Sequence, residues 1–139
     1  SLPTEEQWER AARGTDGRKY PWDGDFRSGL ANINETRGGV GSGHLGRTSP
    51  VGNYPDGKAP SGALDMAGNV LEWCRNEPMT KVKIARVAEL QRLVRGGSFF
   101  LDSDSCRAYK RVGVRPRDRM NILGFRVCCA PPIDRASDL

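Results

Sequence analysis

From Thr15 to Ser61 the chain carries no helical period and no alternating apolar run longer than a few residues, and it is dense in Gly, Asn, Asp and Pro. So long an irregular stretch is uncommon inside a compact domain, and where it occurs it is functional or pinned by specific contacts. An all-helical bundle is therefore excluded, and 17 Gly and 9 Pro in 139 residues point instead to turns. That length predicts one domain over residues 1–139, with a modest core because only 37% of residues are apolar.

Regular structure is expected in three places. Thr4 followed by Gln7 is a capping box, Glu5 and Glu6 suit the positive end of a helix dipole, and Trp8, Ala11 and Ala12 share a face before Gly14. These residues predict a short helix over about 5–13. The segment 81–94 fits a helix or a strand, with strand favoured where it runs into LVRGGSF, whose branched and aromatic side chains suit a pleated surface. A last strand is expected in GFRVCCA, with Phe125, Val127 and Cys129 facing one way.

Charge divides the chain. Residues 1–74 hold 8 basic and 10 acidic side chains, residues 75–139 hold 14 and 7, and the total is +5. The densest basic stretch runs from Arg107 to Arg119 with Asp118 its one acid. Such a stripe either binds polyanions or is a solvated, partly paired face. Nucleic acid is disfavoured as a partner because Tyr109 is the one aromatic nearby. No apolar run approaches the roughly 18 residues of a membrane helix, and SLPTEEQWER has no signal-sequence pattern. Cysteines 74, 106, 128 and 129 form no CxxC pair and leave the redox compartment, and with it the localisation, open.

Most familiar motifs fail on inspection. Gly52 to Lys58 has P-loop spacing, but Ala59 stands where a magnesium-holding hydroxyl is needed. Gly41, Gly43 and Gly46 match a dinucleotide spacing without the preceding strand, so they read as turn glycines. Asn34 opens a glycosylation sequon, meaningful only in a secreted protein. His44 is the lone histidine, which excludes His-rich metal sites and leaves nucleophile and base arrangements without an oriented partner. Asp65 and Glu72 flank a glycine turn, where they either wrap a calcium ion or pin the turn.

Taken in order, LPTEEQWERAARG, YPWDG, ANIN, TSPVGNYP, ALDMAGNVLEW, LVRGGSF, the segment from Cys106 to Arg111, then Pro116, Arg119 and LGFR over 123–126 resemble the formylglycine-generating enzyme, or sulfatase-modifying factor, domain. The resemblance implies an α+β, C-type lectin-like fold of the formylglycine-generating-enzyme type: a small antiparallel sheet, a short N-terminal helix, and long irregular loops carrying the ligand site. It also implies that the family's portion before the LPTE helix is absent.

The family's enzymes hold copper through two thiolates five positions apart just after the RGGS strand. Aligned on Arg95 to Ser98 and Gly124 to Arg126, this chain has Cys106 on the first and Arg111 on the second. A guanidinium repels the soft cation that a thiolate would hold. The resemblance thus implies no catalytic residue, with Cys106 a buried small hydrophobe, and a formylglycine-generating or related oxidase-type enzyme remains the alternative. The iron-dependent sulfoxide-forming relatives need several histidines.

The C-terminal segment is most similar to the variable proteins of diversity-generating retroelements, which keep a lectin-like scaffold and vary positions between fixed ones. The fixed positions are present as Cys106, Arg107, Arg111, Pro116, Arg119 and Leu123 to Val127. Between them stand Phe100, Leu101, Asp102, Asp104, Lys110, Val112, Gly113, Val114, Arg115, Arg117, Asp118, Met120, Asn121 and Ile122, which share no period and no chemistry. The resemblance makes these the ligand-binding residues, facing outward, with the fixed arginines serving structure. A protein or other macromolecular ligand with an acidic or mixed surface is expected, bound by a monomer. No cofactor is required. Calcium is the one implied metal, with Asp65 and Glu72 on side-chain and Gly68 and Val70 on carbonyl ligand positions. A second family calcium site, beginning at Asn32 and Ile33, is expected to be empty because Gly43 stands where an acid is needed.

Overall fold

The computed structural model describes residues 1–75 and 91–129. Helix α1 spans Glu5–Arg13, as the capping box predicts: Gln7 N donates to Thr4 Oγ1 at 3.2 Å and Thr4 N to Gln7 Oε1 at 2.8 Å. A cap of this kind is worth about 1 kcal/mol. Trp8 and Ala12 are the buried face of α1. Helix α2 is one turn, Glu35–Gly38, capped by Asn34, whose side chain accepts from Arg37 N. The sequon asparagine is therefore a buried cap.

The sheet holds β1 (Leu71–Trp73), β2 (Arg92–Arg95), β3 (Arg111–Val114) and β4 (Leu123–Gly124) in the order β3-β2-β1-β4. The β1/β2 and β2/β3 pairs are antiparallel, but β1 and β4 are parallel. The sheet is thus mixed where an antiparallel one was expected. The 115–122 connection carries the chain across the sheet and feeds β4 in beside β1 in the same direction, as a parallel pair requires. Strand is present at 92–95, as expected, whereas the rest of the 81–94 segment up to residue 90 lies outside the described residues. The GFRVCCA segment is strand only through Gly124; Phe125, Val127 and Cys129 do share one side, but that side is exposed.

Side chains of directly paired residues share a sheet face. On one face Leu93 joins Trp8, Ala12, Met66 and Cys74 under α1. On the other, Leu71, Val94 and Val114 form a cluster against which Trp73, Leu101, Ile122 and Leu123 pack. The irregular stretch is pinned by a third cluster, where Tyr20 and Trp22 stack at 5.3 Å and Phe26 meets both edge-on. Gly68 lets this layer approach: with φ of 77°, a Cβ there would lie 2.4 Å from Asn32 O. The buried amides of Asn32 and Asn69 then bind Ser49 and each other.

Candidate ligand-binding surface

The sheet's two faces carry different chemistry. Below α1, buried Arg95 pairs with Glu5 and Glu9 and donates to the carbonyls of Ala108 and Lys110 at 3.1 Å. Arg111 reaches Glu5 at 3.2 Å. Arg126 donates to Glu72 Oε2 at 2.5 Å and Oε1 at 2.8 Å, and to the carbonyls of Leu64 and Asp65. Arg107 pairs with Asp104 at 2.6 Å and donates to Tyr109 Oη; Arg119 donates to the carbonyls of Pro116 and Asp118. The first four of these arginines serve the framework, satisfying carboxylates and loop carbonyls that the small sheet leaves over, whereas Arg119 is exposed and meets main-chain carbonyls alone among the described residues.

The residues expected to bind ligand lie along the 100–110 loop, β3 and the 115–122 connection. Phe100, Asp104, Lys110, Val112, Arg115, Arg117, Met120 and Asn121 are exposed, and Phe100 lies under the Arg37 guanidinium at 4.7 Å. Other positions behave differently from the expectation that all face outward. Val114 is 7% exposed and forms the floor with Val94 and Leu71, because it shares their sheet face. Leu101 and Ile122 are half-buried plugs over that floor. Gly113 pairs with Leu93 and so belongs to the α1 face, where a Cβ would meet Gln91 at 2.4 Å. Asp102 Oδ1 accepts from Ser105 N at 2.8 Å and braces its own turn; hydrogen bonds from Ser105 hold this carboxyl below its ordinary value. Asp118 pairs with Arg115 at 3.1 Å.

Trp73 and Phe125 were not among the expected site residues, yet both line a groove with Asp118, Met120 and Asn121. Trp73 precedes the late segment by sequence, and only the β1/β4 pairing brings it there. The exposed-side alternation of Phe125 and Val127 was visible, but not which side faced water.

Cys106 is fully buried in the aromatic cluster, and burial pushes its thiol up to about 12. No other cysteine shares that cluster: Cys74 lies under α1, and Cys128 and Cys129 lie at or near the surface, all four free. Arg111 points to Glu5, on the α1 side of the sheet. His44 is in an exposed loop.

The calcium expectation meets a competing cation. Both Glu72 oxygens receive Arg126, Oε2 also receives Trp8 Nε1 at 2.6 Å, and Asp65 Oδ2 receives Gly52 N at 2.6 Å. Arg126 thus takes the Glu72 carboxylate that the expected calcium set would share. Among the described residues no three His, Cys, Asp or Glu side chains gather to hold a metal. Gly43, where the second calcium site would need an acid, donates its N–H to Glu35, which also takes Ser28 Oγ and Gly29 N.

A four-stranded mixed sheet with one helix on a face and long pinned loops defines an α+β domain. The chain belongs to the sulfatase-modifying factor enzyme 1-like domain family, which it matches over residues 1–131. It is 36% identical to the formylglycine-generating enzyme of Streptomyces coelicolor, over 98% of this chain and 48% of that protein. It is 32% identical to the formylglycine-generating enzyme of Mycobacterium tuberculosis, over 95% and 51%. The inactive Cα-formylglycine-generating enzyme 2 of Bos taurus is 32% identical, over 90% and 42%. The chain thus spans about half the length of the curated relatives it matches. Among solved structures, Treponema denticola variable protein 1 superposes with a TM-score of 0.64 at 28% identity, over 90% of this chain and 45% of that one. PvdO from Pseudomonas aeruginosa shares the fold, with a TM-score of 0.69 at 23% identity over 90% and 50%. No helix among the described residues is long and apolar enough to cross a membrane.

Proposed function

We propose that this domain recognises a macromolecular ligand without transforming it, through the sheet face opposite α1 and the loops around it, as a diversified variable protein would. The observation that carries the reading is the isolation of Cys106, a buried thiol with no second cysteine in its cluster and raised to about 12. Thiolate chemistry with a soft metal needs ligands that lose their protons and converge. A binding surface needs only a fixed floor, here Leu71, Val94 and Val114, under side chains of any type. The exposed cations Lys110, Arg115 and Arg117 favour an acidic or mixed partner surface. The protein acts as a monomer and needs no cofactor in this reading.

The rival reading is a formylglycine-generating or related oxidase-type enzyme, favoured by the names of several relatives. Copper titration with oxygen consumption on a cysteine-containing peptide separates the two. No turnover above the peptide blank is expected; turnover that Cys106→Ser abolishes would overturn the binding reading. At the gene, the diversification idea expects a neighbouring reverse transcriptase and a near-copy of the 3′ coding end differing at adenines.

A further inference from the structure

We propose that the groove beside β4 is the anchor subsite of this surface, taking an extended peptide segment of a protein partner that presents a large apolar side chain next to a carboxylate. The inference rests on the ligand-binding reading above. The groove encloses about 670 Å³ between Trp73, Leu123, Gly124 and Phe125 on the sheet side and Asp118 to Asn121 on the other. Trp73, Met120, Leu123 and Phe125 supply its apolar wall, and two of them are well exposed, Phe125 at 68% and Met120 at 43%. Large side chains left in water around a concavity are the composition of a binding hot spot, where an aromatic or aliphatic anchor is desolvated.

Charge selects the neighbour of that anchor. Asp118 is already neutralised by Arg115. Arg119, at the groove's rim, donates only to the main-chain carbonyls of Pro116 and Asp118 and has no carboxylate partner among the described residues. A guanidinium so held is positioned and still carries a full charge, which a ligand carboxylate can pair. The groove runs beside β4, the last strand in the sheet order among the described residues, whose Leu123 N already donates to Met120 O, so an extended segment would lie in the groove by its side chains. The groove also mixes expected fixed positions, Arg119, Leu123, Gly124 and Phe125, with expected varied ones, Asp118, Met120 and Asn121. The first set would bind any such segment, and the second would choose among them.

Selection of a random peptide library displayed on phage against the whole chain tests this. Enriched peptides are expected to carry an aromatic or large aliphatic residue beside an acid. Their affinity should fall about tenfold or more in Arg119→Glu and in Phe125→Asp, both at exposed positions, with thermal melting unchanged, and Arg119→Glu should prefer peptides in which lysine replaces the acid. Enriched peptides that keep their affinity in both variants but lose it in Val112→Asp would overturn the groove and leave the wider binding reading standing. Peptides without an acid preference, or no enrichment over blank, would overturn the proposal.

Discussion

Trp8 Nε1 and the Arg126 guanidinium meet on a single oxygen, Glu72 Oε2, at 2.6 and 2.5 Å. One buried carboxylate thereby ties the N-terminal helix, the central strand β1 and the segment after β4. Removing it leaves Arg126, a quarter exposed, without its counter-charge and Trp8 without an acceptor. Glu72→Ala should cost roughly 3 kcal/mol, since a broken buried pair leaves an uncompensated charge. Trp8→Phe should lose about 1 kcal/mol from the hydrogen bond alone, with packing loss in addition. The urea midpoint reads both, and an unchanged Glu72→Ala midpoint would refute the tie.

Val112 and Val114 lie on the same sheet face but differ in what covers them, at 46% and 7% exposed. Val114→Ala should cost about 2 kcal/mol because it opens a cavity in the floor. Val112→Ala should stay within about 0.5 kcal/mol, as exposed substitutions do. Equal losses would mean that the two sites are equivalent, and the floor assignment would fall.

Acid should loosen the long irregular stretch. Burial pushes Glu35 up, but hydrogen bonds from Ser28, Gly29 and Gly43 outweigh it and hold the folded carboxyl below its ordinary 4.5. The same balance, through Arg13 and Arg95, lowers Glu9. A lowered folded value means that the stability is fully present above 4.5 and is lost as pH falls through the folded values below it. Glu35→Gln should be less stable at neutral pH and show a shallower loss on acidification below 4.5. A parallel loss in both proteins would assign the acid sensitivity elsewhere.

Thiol reactivity should divide the cysteines. Cys74 and Cys106 are buried and pushed up to about 12, whereas Cys129 is exposed. In the native state a disulfide reagent should modify Cys129 readily and leave Cys74 and Cys106 until unfolding. Rapid native labelling of Cys106, located by peptide mass mapping, would contradict its place in the core.

Because Arg126 already donates to the Glu72 carboxylate and to the carbonyls of Leu64 and Asp65, the melting temperature should be the same in calcium and in chelator. A ligand bound only to the folded state raises melting in proportion to its saturation. A calcium-dependent rise that Asp65→Ala removes would show that the ion displaces the guanidinium.

Local signals were legible in particular residues. The pair Thr4 and Gln7 with Gly14 predicted a helix over about 5–13, and α1 spans Glu5–Arg13, because a capping box is a contact between neighbours in sequence. Leu93, Val94 and Arg95 announced β2 by composition. The parallel entry of β4, the burial of Val114 and the exposure of Phe125 were not legible, because alternation shows that two sides differ and not which one meets another layer. Trp73 escaped for a related reason: it joins the groove through strand pairing with a segment far along the chain.

The sequence by itself determined the framework's class, its N-terminal helix α1, the absence of a second thiolate five positions beyond Cys106, and the late stretch of residues that share no period and no chemistry. Tertiary structure alone decided which of those late residues face water, that Arg126 sits among the carboxylate and carbonyls of the 64–72 turn, and that Trp73 and Phe125 wall a groove. Caps and turn glycines act over a few residues and can be read locally. Burial and charge pairing depend on what the folded chain brings alongside, which for Glu72 is Trp8 from one end and Arg126 from the other.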